Sequence, residues 1–125
     1  MCRVGTGRIT YVGKAGQTVL NTTVKSGSGV GAVFAPTWEL VMASKRGHIT
    51  WEQYTAGYYQ LMRERYRRHK AAFIAALQED ELIVTCYCRD TSQTTRHCHR
   101  YLLVDILEQV AVAEEIAFER IGEVR

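Results

Sequence analysis

One short run constrains the fold of this chain more than any other. Residues 82–87, Leu-Ile-Val-Thr-Cys-Tyr, are largely apolar on both faces when extended, because alternate side chains of a strand point to opposite sides. Such a strand suits the middle of a parallel sheet, where both faces are covered. A polar stretch follows, and from Tyr101 a helical pattern places Leu102, Leu103, Ile106, Leu107 and Val110 on one face. Strand, polar loop and helix start, in that order, are the unit from which α/β proteins are built. In such proteins ligands gather outside the carboxyl ends of the strands.

The flanking segments extend this pattern. Residues 8–12 read as a strand with Ile9, Tyr11 and Val12 inward, residues 13–16 as a turn, and residues 19–25 as a second extended segment. The Ser-Gly-Ser-Gly-Val-Gly run at 26–31 reads as a loop. It has neither the Gly-Lys-Ser/Thr ending of a phosphate loop nor the glycine spacing of a dinucleotide fingerprint. Pro36 suits the first turn of a helix running to Arg46 and stopped by Gly47, with Trp38, Val41 and Met42 as its buried stripe. Thr50-Trp51-Glu52-Gln53 has the form of a capping box. The helix it opens carries Tyr54, Tyr58, Met62 and Tyr66 at intervals of four, a core-facing stripe.

Arg63, Arg65, Arg67, Arg68, His69 and Lys70 spread around the axis near that helix's end, where cations match the dipole. A phosphate-facing patch is the competing account of the same run. A helical piece at 71–78, an acidic turn at 79–81 and a last strand at 117–124 follow. The whole gives one α/β domain over residues 1–125, a single layered domain with a mainly parallel sheet flanked by helices.

Composition narrows the classes of function. With 125 residues, 46% of them apolar and 23% charged, the chain can bury a core of its own, which excludes disordered and fibrous classes. A formal charge of +3 permits an anionic partner, a small molecule or nucleotide, without requiring nucleic acid. No apolar run reaches the roughly 20 residues that span a bilayer, so no membrane partner is expected. Met1-Cys2-Arg3-Val4-Gly5 lacks the apolar core of a signal peptide, so a cytoplasmic location with reduced cysteines is expected.

The chemistry concentrates in one window. Three of the four cysteines and two of the four histidines lie within residues 86–99, together with Arg89 and Arg96 and with Arg100 just beyond. Cys86 and Cys88 share a strand face; Cys86 reads as a buried structural thiol and Cys88 as the one at the open end. Cys98 falls at or just before the helix start. There, unpaired amides, Arg96, Arg100, His97 and His99 would stabilise a thiolate or hold an oxyanion. Arginine in a first helical turn opposes the dipole, so Arg100 implies either a bound anion or a carboxylate partner such as Asp90 or Asp105. In an enzyme Cys98 would be the nucleophile or redox thiol, His97 or His99 the base, and Arg100 the oxyanion clamp.

Zinc is the rival account. Cys88, Cys98 and His99, with Cys86 beside them, are suitable donors, but a Cys-x-Cys pair and an adjacent Cys-His pair depart from the usual knuckle spacing. No metal is therefore assigned, and no cofactor. In that alternative the chain is a non-catalytic interaction module whose Cys/His cluster is structural or binds zinc.

Several of these residues fall together in a known pattern. Lys25-Ser26-Gly27, Phe34-Ala35-Pro36-Thr37-Trp38, Lys45-x-Gly47, Tyr58 to Arg63, Cys86-Tyr87-Cys88 and Cys98-His99-Arg100 resemble the family called domain of unknown function 488, most closely its short phage and prophage branch. The resemblance implies a site at Cys88, Cys98, His99 and Arg100, with Lys25 and Trp38 as neighbours. It implies no particular activity. The segment from Arg89 to His97 is longer here than the family's usual connection.

Overall fold

The computed structural model describes residues 1–22, 30–86 and 98–124, with side-chain detail from residue 31 in the second span. In chain order the elements are β1 (Cys2–Arg8), β2 (Gln17–Asn21), α1 (Val30–Val33), α2 (Trp38–Lys45), α3 (Trp51–Arg68), α4 (Lys70–Leu77), β3 (Glu81–Cys86), α5 (His99–Ala113) and β4 (Phe118–Glu123). The strands form one sheet in the order β2-β3-β1-β4, and every pairing is parallel. The chain is thus a single α/β layer structure. β3 lies inside the sheet with Leu82 through Cys86 all buried, as its doubly apolar sequence requires.

One face of the sheet carries the main core. Val4, Leu20, Leu82 and Val84 join Tyr54, Tyr58 and Met62 of α3, Phe73 and Leu77 of α4, and Leu103 and Leu107 of α5. Each large side chain buried there contributes about 1.5–3 kcal/mol of transfer free energy. On the other face Ile83, wholly buried, Tyr11 and Val124 close around Gly7.

The first strand lies earlier than residues 8–12. Two glycines dilute its apolar signal, yet the packing needs them: a Cβ on Gly5 would stand 2.8 Å from the Gly122 carbonyl oxygen and 2.9 Å from Ile121 Cγ1. After Arg8 the chain turns, with the Tyr11 amide donating to the Arg8 carbonyl, and Val12 is 92% exposed rather than inward. Gly13 and Gly16 take positive φ in the expected turn. β2 begins two residues before the expected 19; residues 23–25 and most of the 26–31 loop lie outside the described residues.

Pro36 precedes the first turn of α2 instead of occupying it. Thr37 is the N-cap, its side chain accepting from the Leu40 amide. The expected stripe of Trp38, Val41 and Met42 is not buried, and Trp38 is 46% exposed. This short helix sits at the periphery, where Leu40 leans on α3 opposite Gly57. α3 follows the sequence closely. Thr50 and Gln53 form both halves of the capping box, and Tyr54, Tyr58 and Met62 are buried with Tyr66 packed against them. Arg65 turns back to cap α1, its Nη1 donating to the carbonyls of Ala32, Val33 and Ala35 at 3.1, 2.6 and 3.0 Å. Arg68 pairs with Glu64, and Lys70 with Glu114.

Candidate functional site

Because the strands are all parallel, their carboxyl ends share one edge, where Thr22 (after β2), Cys86 (β3) and Glu123 (β4) stand. α5 begins at the same edge. Its N-cap is Cys98 in extended backbone, whose sulfur does not cap the helix amides, and His99 and Arg100 are its first two residues. All four side chains of the cluster are removed from solvent: Cys86, Cys98, His99 and Arg100 expose 1%, 2%, 6% and 0%. The Cys86 and Cys98 sulfurs touch across a Cα separation of 7.9 Å. Both sulfurs and a His99 ring nitrogen lie within 4.8 Å of one another.

Arg100 ties the cluster to the last strand. Its Nη1 donates to Cys86 Sγ at 3.4 Å and to Cys98 Sγ at 3.8 Å. Its Nη2 donates to Glu123 Oε2 at 2.7 Å and to the Tyr101 hydroxyl at 3.2 Å. The other Glu123 oxygen accepts from the Thr6 hydroxyl at 2.5 Å. The carboxylate that answers the arginine's charge is therefore Glu123, not Asp105. Asp105, five residues on and about 140° round the helix, instead accepts from Arg120 at 2.6 Å. Asp90 lies outside the described residues.

His99 is held from β2. Its Nε2 lies 3.0 Å from Thr22 Oγ1 and 3.1 Å from the Thr22 carbonyl oxygen. The Thr22 hydroxyl proton is committed to the Thr85 carbonyl at 2.8 Å. The network thus assigns the imidazole proton to Nε2, donating to the Thr22 carbonyl, and leaves the lone pair on Nδ1. Burial pushes the His99 pKa down to about 4, the Arg100 charge acts in the same direction, and the Thr22 carbonyl opposes it. The ring is neutral at pH 7. It packs on the Tyr58 ring at 5.6 Å, and the Tyr58 hydroxyl donates to the Phe34 carbonyl at 2.8 Å.

Of the residues singled out in the sequence, Cys98, His99 and Arg100 come together, while Trp38 stands on α2. Lys25, Cys88, Arg89, Arg96 and His97 lie outside the described residues. Cys86, whose only functional role weighed in the sequence was that of an additional metal donor, joins Cys98, His99 and Arg100, as do Thr22 and Glu123. Cys86 was legible as buried, but its contact with Cys98 depends on how α5 returns to the sheet. Thr22 carries no motif, and Glu123 was legible only as part of the closing strand; the sheet edge brings both to the cluster.

These features define a small, wholly parallel α/β protein with a buried Cys-Cys-His-Arg cluster at the carboxyl edge of its sheet. The family described as "Active DUF488-N3 subclade" matches residues 28–111, and the chain belongs to that family. The matched span takes in Cys86, Cys98, His99 and Arg100 and leaves out Thr22 and Glu123. No curated protein and no solved structure matches the chain.

Proposed function

We propose that the chain binds an anionic ligand, a nucleotide, phosphate or nucleic-acid end, at the carboxyl edge of the sheet, with Cys98 as its reactive thiol. The observation that carries this is the wholly buried Arg100 guanidinium donating to the sulfurs of both Cys86 and Cys98. A cation beside a thiol at a helix start favours its reactive form. The same helix start offers first-turn amides to an anion. Arg100 is engaged by Glu123 and the sulfurs, which makes it the group that holds the thiols; the ligand's charge would be met by Lys25, Arg89 and Arg96, cations close in sequence to the ends of β2, β3 and α5. In the metal-free protein His99, neutral with a lone pair on Nδ1, is the candidate base.

The test uses the Cys2 thiol as an internal standard. Reduced, metal-free protein is treated with iodoacetamide at neutral pH and each cysteine is followed by mass spectrometry. Cys98 is expected to react faster than Cys2, which is equally buried. Inorganic phosphate or a nucleotide is expected to slow that reaction and raise the melting temperature. A Cys98 no faster than Cys2 ends the reactive-thiol part. Absence of any ligand effect on melting ends the binding part.

A further inference from the structure

We propose that Cys86, Cys98 and His99 are the protein ligands of a divalent cation, zinc by donor chemistry, with a fourth position open to the anionic ligand; that last clause alone rests on the function proposed above. Among the described residues this is the cluster whose donor atoms converge, two sulfurs and one imidazole nitrogen within 4.8 Å of one another. Thiolate and imidazole together are the donors zinc prefers, and three protein ligands with one open position is the arrangement of reactive zinc sites.

Three independent features point to an ion. The first is the way His99 is held. A metal-bound histidine characteristically donates its other ring N–H to a backbone carbonyl or carboxylate, which fixes the tautomer. His99 Nε2 does this to the Thr22 carbonyl at 3.1 Å. The second is charge. Arg100 donates to both sulfurs, but its single charge is shared with Glu123 at 2.7 Å and does not balance two ionised thiols. A divalent cation cancels both. The third is span. A disulfide joins residues whose Cα atoms lie about 4.4–6.8 Å apart, whereas Cys86 and Cys98 stand 7.9 Å apart. Two sulfurs bound to one zinc at about 2.3 Å sit roughly 3.8 Å from each other. That wider separation suits the backbone better. The Arg100 Nη1 donation to both sulfurs then becomes the outer hydrogen bond that metal-bound thiolates commonly receive.

The experiment titrates reduced, metal-free protein with cobalt(II). The expected result is a sulfur-to-cobalt charge-transfer band that saturates at one equivalent and is displaced by zinc. Cys86→Ser and Cys98→Ser should abolish it, His99→Gln should weaken cobalt binding by about 10-fold or more, and Cys2→Ser should leave it unchanged. No band in the folded wild type overturns the proposal, as does a band that survives Cys86→Ser or Cys98→Ser. Should a variant fail to fold, X-ray absorption of the zinc-loaded wild type decides. Two sulfur ligands with imidazole are expected, and any other sulfur count overturns the proposed ligand set. Fast alkylation of Cys98 in a protein that gives no cobalt signal would end the metal site and leave the ligand-binding function standing. A cobalt band unmoved by phosphate or nucleotide would keep the three protein ligands and end the open position for an anion.

Discussion

Arg100 shows what a single residue contributes. In sequence it is an anomaly, a cation at the positive end of a helix dipole. In the structure a carboxylate from β4 resolves the anomaly, because Glu123 accepts from it at 2.7 Å. Replacing the arginine therefore strands a half-buried carboxylate and two buried sulfurs. Arg100→Ala is expected to cost about 3–5 kcal/mol, as the breaking of a buried pair does, measured by urea unfolding. Asp105→Asn is expected to shift the same curve by less than about 1 kcal/mol, since the Arg120 pairs are surface pairs. Equal losses in the two variants would show that Arg100 and Glu123 do not behave as a buried pair. Cys2 supplies a second residue-level expectation. Burial pushes its thiol pKa from 9.0 up to about 11, opposed by the N-terminal charge and aided by Glu79 and Asp80. A raised acid favours the neutral form in the fold, so its contribution is complete below pH 9 and lost as pH climbs toward 11. Subtracting the stability curve of Cys2→Ala from that of the wild type should leave a decline confined to that alkaline window; a flat difference would refute it.

At the scale of elements, legibility followed the source of the signal. α3 was readable because its two signals are local: a capping box and a four-residue stripe need only neighbouring residues to act. Thr50→Ala removes the acceptor for the Gln53 amide and is expected to destabilise the fold by about 1 kcal/mol, which thermal melts against the parent would register; no change would mean that the helix start is held by packing alone. β3 and α5 were readable for a similar reason, since their apolar patterns are dense. β1 was displaced because its glycines answer a distant neighbour, the β4 backbone against Gly5, and no local pattern announces that. The α2 stripe failed on the opposite ground. Its apolar residues are present, but an eight-residue helix resting mainly on Leu40 does not bury them.

For the molecule as a whole, the fold class was written in the alternation of strands and helices, and the parallel sheet followed from the chemistry of β3. The candidate site was legible at half. Cys98, His99 and Arg100 form one contiguous word in the sequence, but the groups that orient them, Thr22 and Glu123, are set by topology. The strand order carries one more implication, for how the molecule comes to be assembled. β1 precedes every other element, yet its hydrogen-bonded partners are β3 and β4, the last two strands to follow it. During synthesis it must wait with both edges bare while most of the chain is made. Exposed strand edges of that kind invite wrong pairing, which charges and weak strand formers discourage. Arg3, Gly5, Gly7 and Arg8 supply both. The residues that hide this strand from the eye also keep it from other chains until its own partners arrive.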